Sequence, residues 1–162
     1  MIREERRGDE AAVRQLVAAA FADEPHSDGS EPEIMDRLRR DGTPMLSLVA
    51  DQGGVILGHV AFSPVTIGGA DCHWFGLAPL SVAPARQKRG IGTALVREGL
   101  RRLAEQGAKG CVVLGDPAYY GRFGFAADAD ISYPGVPPEY FQRLLLAGDM
   151  PRGAVRYAPA FG

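Results

Sequence analysis

Gln87-Lys88-Arg89-Gly90-Ile91-Gly92-Thr93 is the stretch whose residue types and spacing best suit chemistry. Two glycines, one residue apart, open what reads as a helix and leave the backbone N–H groups of its first turn bare. Such a helix start has unpaired donors and the positive end of the dipole, so it attracts anions. Lys88 and Arg89 add formal positive charge at the same place. The predicted chemistry is grip on a phosphate or pyrophosphate. Absent features narrow the ligand. There is no Gly-Lys-Ser/Thr ending, as a P-loop would have. No third glycine follows three residues on, so the dinucleotide fingerprint is incomplete. A plain glycine-rich turn with two solvated cations also fits these residues, and the rest of the chain must decide.

The flanking elements are legible. The apolar run through Leu80, Ser81 and Val82 reads as a strand stopped by Pro84. After the glycines, Ile91, Leu95, Val96, Gly99, Leu100 and Leu103 share one half of a helical wheel, with Arg97, Glu98, Arg101 and Glu105 opposite. Glu98 and Arg102 form an i, i+4 pair in the favourable order, and Gly107 ends the helix. The unbroken apolar run 110–115 is then a short buried strand. Strand, helix and strand predict a right-handed βαβ unit, with 72–82 parallel to 111–115.

Upstream, a short strand at 2–5 precedes a helix capped by Asp9, with Val13, Leu16, Val17, Ala20 and Phe21 inward. Ser30-Glu31-Pro32-Glu33 reads as a capping box opening a second helix with Ile34, Met35 and Leu38 inward. Strands at 45–50, 55–67 and 72–82, joined by glycine turns, predict an antiparallel meander. Pro64 suggests an edge, a bulge or an early end, and Gly76 and Pro79 interrupt the third strand. Downstream, Asp116-Pro117 starts a helical turn, Phe123-Gly124-Phe125 begins a strand, and 128–138 is a loop. One or two helical turns at 140–146 and a final strand at 154–161 complete the expectation.

The 162 residues suit one domain spanning 1–162 with a real core. A 46% hydrophobic, 23% charged composition is that of a globular chain, and a net charge of −2 gives no general affinity for nucleic acid. No apolar run reaches the roughly 18 residues of a membrane helix, and the first residues lack a signal-peptide core. Cys72 and Cys111 lie far apart in apolar segments and read as reduced core residues of a cytoplasmic protein. His26, His59 and His73 lack metal-ligand spacing, so no metal is expected.

Gln87-x-x-Gly90-x-Gly92, following Val82-x-Pro84, resembles the acetyl-CoA-binding motif of the GNAT-type N-acetyltransferases. The run 77–82 before the glycine turn and the run 112–117 agree with that family. So does Tyr120-Gly121-Arg122-Phe123-Gly124-Phe125, which is similar to its Tyr-x-x-x-Gly-Phe ending. Leu-Gly-Asp-Pro-x-Tyr-Tyr-x-Arg-Phe-Gly-Phe looks most like a bacterial subgroup of predicted N-acetyltransferases. The resemblance covers nearly the whole chain. It implies an α+β GNAT fold: a mostly antiparallel mixed sheet, one parallel βαβ pair and helices on both faces. Asp116 and Pro117 depart from the family, many of whose members carry Asn there.

The resemblance implies transfer of an acetyl group from acetyl-CoA, as co-substrate, to a primary amine. Residues Gln87, Lys88, Arg89, Gly90, Ile91, Gly92 and Thr93 would bind the pyrophosphate. The backbone of Leu80, Ser81 and Val82 would pair with the pantetheine, and an N–H at Leu80 or Ser81 could polarise the thioester carbonyl. Pro79 stands where the family has a bulge. Tyr120 would be the general acid for the thiolate, with Tyr119 beside it easily confused for it. A base stays open among Glu24, His26, His59, His73, Asp116 and a water chain. The acidic loop 23–33 lies where the family shapes its acceptor site, and it also reads as an ordinary solvated loop. The acceptor is a small-molecule or peptide amine, and the apolar C-terminal strand allows a homodimer. A non-catalytic acyl-CoA-binding regulator and a transferase of longer acyl chains are the alternatives.

Overall fold

The computed structural model describes residues 1–162. In chain order the elements are β1 (Ile2–Glu4), α1 (Glu10–Phe21), α2 (Glu31–Arg40), β2 (Leu46–Gln52), β3 (Val55–Ile67) and β4 (Ala70–Val82). They continue with α3 (Ile91–Glu105), β5 (Gly110–Leu114), α4 (Pro117–Tyr120), β6 (Ile131–Ser132), β7 (Phe141–Leu145) and β8 (Gly153–Arg156). The sheet runs β1-β2-β3-β4-β5-β7, and β8 joins both β3 and β6. The β2-β3-β4 meander is antiparallel and the β4–β5 pair is parallel, as the glycine turns and the βαβ pattern predict.

Alternation along the strands sends Leu48, Val60, Phe62, Cys111 and Val113 to one face. There they meet Leu95, Val96, Leu100 and Leu103 of α3. Burial of each such side chain contributes about 1.5–3 kcal/mol, so packing holds α3 in spite of its two glycines. On the opposite face, Val13 and Val17 of α1 pack on Val49, and Met35 and Leu38 of α2 pack on Ala61 and Ala160. A third cluster joins Trp74 and Val112 to Ile131, Phe141 and Val155.

Several local expectations are corrected. Ser30 stands at the N-cap of α2 without a side-chain cap bond. Instead the Ser27 hydroxyl donates to Glu31, and Glu33 pairs with Arg40. Asp9 likewise stands at its predicted cap position, but its carboxylate accepts from Arg3 and from the Arg6 N–H. Residues 121–123 form a 3-10 turn closed by Gly124 at φ +97°, and beyond it a single bridge pairs Ala126 with Arg143, so no strand starts there. The segment 141–145 is strand β7 and not helix, antiparallel to β5 along its whole length. The unpaired edge of β5 supplies the backbone partners that decide it. The last strand is shorter than expected, ending at Arg156 before a 3-10 turn at Pro159–Phe161. Pro64 lies inside β3, in the gap between the last partner on β2, opposite Phe62, and the first on β8, opposite Thr66. A residue without an N–H is tolerated there.

Candidate active site at the β4–β5 divide

Parallel pairing of β4 and β5 is brief. Trp74, Phe75 and Gly76 face Gly110, Cys111 and Val112, and the pairing then stops. Just beyond, Val60 faces Leu80 while Phe62 faces Leu77, so Ala78 and Pro79 of β4 stand against Ala61 alone. This is the expected bulge at Pro79, and it re-aims the end of β4. β4 reaches Val82 and β5 reaches Leu114 with no backbone pairing between their last residues.

A cleft of about 480 Å³ opens at that end. Its walls include Leu80, Val82, Gln87, Lys88, Gly90, Ile91, Gly92 and Thr93, all expected site residues. The Gly90 carbonyl accepts the first α3 bond, from the Ala94 N–H, at 3.0 Å. The N–H groups of Ile91, Gly92 and Thr93 therefore have no helical partner. Gly90 adopts φ +86°, which only glycine holds without strain, and Lys88 also adopts a left-handed φ of +64°. The Gln87 side-chain amide donates to the Val82 carbonyl at 3.2 Å and so ties the loop back to the strand. Arg89 is exposed and lies outside the cleft wall.

Ser81 does not present its side chain here. It stands across from His59 in the β3–β4 register, buried, with no partner for its hydroxyl. His59 is fully buried and its Nε2 lies 2.8 Å from the Ser47 Oγ. Burial, reinforced by the charge of Arg39, lowers its pKa to about 3, so it is neutral at ordinary pH. Among the other candidate bases, Glu24 lines the cleft and His26 is exposed on the α1–α2 connection. His73 is exposed near the far end of β4, and Asp116 caps α4 by accepting the Ala118 N–H at 2.9 Å.

The two tyrosines of α4 diverge. Tyr119 lines the cleft, its hydroxyl 3.1 Å from that of Thr93, with the Arg122 guanidinium 4.4 Å above its ring. Tyr120 turns inward instead. Its ring packs on Gly115, where a Cβ would lie 2.5 Å from its Cε2, and edge-on to Phe125. Burial pushes its pKa well above the ordinary phenol value, so it stays protonated. Sequence reasoning missed Arg86, Tyr119, Arg122, Ala20 and Phe21 as cleft residues. For Tyr119 and Arg122 a signal exists: they are three apart across the consecutive turns of α4 and residues 121–123, and so share one outer face. No helix is long and apolar enough to cross a membrane, and no group of three or more His, Cys, Asp or Glu side chains is placed to hold a metal.

The family model described as Acetyltransferase (GNAT) domain matches residues 1–127. An Escherichia coli K12 protein described as uncharacterized N-acetyltransferase YhbS is 44% identical over 129 residues, covering 76% of this chain and 77% of its own. The crystal structure of a GNAT family acetyltransferase from Brucella melitensis in complex with acetyl-CoA is similar at a TM-score of 0.90 and 51% identity, covering 100% of this chain and 97% of that one. The structure of Escherichia coli YhbS in complex with CoA gives a TM-score of 0.90 at 37% identity, covering 99% and 91%.

Proposed function

This chain belongs to the acetyltransferase (GNAT) family, and from that premise we propose how its residues divide the work. It is an N-acetyltransferase that moves an acetyl group from acetyl-CoA to a primary amine. The thioester is already activated. The protein must hold it, orient the amine, stabilise the developing oxyanion and protonate the leaving thiolate.

The observation that carries the assignment is the first cleft: three unpartnered N–H groups at the start of α3, with Arg86, Lys88 and Arg122 in the same wall. Backbone donors and cations converging there suit a pyrophosphate, which the N–H groups of Ile91, Gly92 and Thr93 bind. Gln87 holds the loop in shape, Gly90 supplies its left-handed turn, and Arg89 adds charge from outside the wall. The backbone of Leu80, Ser81 and Val82, left unpaired on the β5 side, receives the pantetheine amides as an added strand. An N–H beside the bulge, at Leu80 or Ser81, faces the thioester oxygen. Tyr120, kept protonated by burial, gives its proton to the thiolate. Tyr119 and Thr93 belong to the pyrophosphate end and not to the acid step.

We read residues 1–162 as one N-acetyltransferase domain of a cytoplasmic protein, in the bacterial subgroup marked by the run 114–125. Its acceptor is a small-molecule or peptide amine, and a homodimer through the C-terminal strands is compatible with this reading.

Thermal unfolding with and without acetyl-CoA tests the donor site. Ligand at 100 times its dissociation constant adds about 2.7 kcal/mol. Gly92→Glu is the better control than a change at Gly90. Gly92 is helical, and a Cβ there meets nothing closer than the Tyr119 oxygen at 3.4 Å, whereas any side chain at Gly90 is strained. The expected result is a clear upward shift for the wild type and none for a folded Gly92→Glu. No shift in a folded wild-type sample overturns the reading.

A further inference from the structure

A second, larger cleft of about 1050 Å³ opens at the other end of β4. The α2–β2 connection, the last residues of β3 and the segment after β8 wall it, with Asp41 and Asp71 among its residues. Its inner wall includes Tyr157. That ring fills the space of the side chain that Gly76 lacks. A Cβ on Gly76 would lie 2.8 Å from Tyr157 Cδ1 and nearer still to Cε1. Gly76 is the last β4 residue paired with β5, so Tyr157 sits where the two strands part.

Tyr120 lies on the α3 side of the sheet, over Gly115 just beyond the end of β5. Tyr157 belongs to the cluster on the opposite face of the sheet. Burial holds both phenols protonated, and the Cys111 thiol, Tyr133 and Tyr120 further oppose ionisation of Tyr157. The Tyr133 ring stands edge-on to Tyr157 at 5.2 Å and Phe161 packs at 5.3 Å, which fixes its orientation. Neither the Tyr120 nor the Tyr157 hydroxyl is hydrogen-bonded within the chain. Neither is sealed in the core like the oxygens of Ser63 and Ser81.

We propose that Tyr157 is the acceptor-side residue of the site: the amine enters by the second cleft and gives a hydrogen bond to the Tyr157 hydroxyl, which turns the nitrogen lone pair toward the thioester. This rests on the acetyl-transfer reading. The new N–C bond forms as the C–S bond breaks, Tyr120 supplies the proton to sulfur, the surplus amine proton passes to water, and water returns a proton to Tyr120. A neutral phenol suits the task. It accepts from a neutral amine without holding the unreactive ammonium form, as a carboxylate would.

Hydroxylamine, a small nucleophile, serves as the probe acceptor. CoA release from acetyl-CoA is followed with and without it, in the wild type, Tyr157→Phe and Tyr120→Phe. Phenylalanine keeps the ring on Gly76, so the fold is retained, and a thermal melt checks this. The expected result for Tyr157→Phe is at least a tenfold loss of the hydroxylamine-dependent rate. Its acetyl-CoA affinity by calorimetry and its slow hydrolysis by water stay within twofold of the wild type. Tyr120→Phe lowers both reactions, since thiolate leaves in both. A hydroxylamine-dependent rate unchanged in Tyr157→Phe, or a fall in hydrolysis to the same degree, overturns the proposal. A wild type that binds acetyl-CoA but gains nothing from hydroxylamine instead overturns the acetyl-transfer reading itself.

Discussion

Lys88 is the residue that the anion-binding loop strains. Its φ of +64° costs a residue with a Cβ on the order of 1–2 kcal/mol, while Lys88 lines the first cleft and carries one of its positive charges. Geometry and charge therefore pull in different directions at one position. Lys88→Gly relieves the backbone but also frees the unfolded chain. We expect a stability change between zero and a gain of about 1 kcal/mol in urea unfolding. Acetyl-CoA affinity at low ionic strength falls severalfold, and the gap to wild type narrows in high salt as screening removes the lost charge. Calorimetric titration at two salt concentrations measures this. An unchanged affinity at low salt would take Lys88 out of the donor site.

At the scale of one element, α3 carries glycines with different tasks. Gly99 lets the helix close on the sheet: a Cβ there would sit 2.5 Å from Phe62 Cζ and nearer to Cε2. Gly92 sits at the helix start with only ordinary contacts around an added Cβ. Alanine improves helix propensity by about 1 kcal/mol at either position, so packing decides the sign. Gly99→Ala overpacks the interface and costs about 1–3 kcal/mol, seen as a lower melting temperature. Gly92→Ala is neutral or mildly stabilising. Equal melting temperatures for the two variants would contradict the close α3–β3 approach.

For the whole molecule, His59 links stability to pH. Its folded pKa of about 3 lies below the ordinary 6.5 because burial disfavours the charged ring. Between these values the unfolded chain binds the extra proton, so stability is full above pH 6.5 and falls as pH drops toward 3. The slope approaches about 1.4 kcal/mol per pH unit. His59→Gln has no proton to bind, so its unfolding free energy loses less between pH 7 and pH 5 than that of the wild type. Denaturant melts at the two pH values check this. Asp9, held down at about 2 chiefly by its bond from Arg3, adds a separate loss that begins only below pH 4.

Local order was legible wherever one residue's neighbours in sequence are its neighbours in space. The glycine turn, the apolar face of α3 and the β2-β3-β4 meander follow from periodicity and backbone chemistry that operate over a few residues, while the bulge at Pro79 came from the resemblance to a family. The resemblance of residues 77–125 to a family carried the donor half of the candidate site by the same short-range logic. Tertiary structure decided the rest. Residues 141–145 become a strand because β5 has an edge to fill, and nothing within that segment announces it. Asp9 and Ser30 hold their cap positions, yet the Asp9 carboxylate is drawn to Arg3 and Ser30 makes no side-chain cap bond. Tyr119 and Tyr120 are adjacent, and only packing on Gly115 sends one inward while the other faces the cleft. Tyr157 reaches Gly76 across 81 residues of chain. A ring from one segment filling the missing side chain of another is a long-range contact, and no local pattern encodes it.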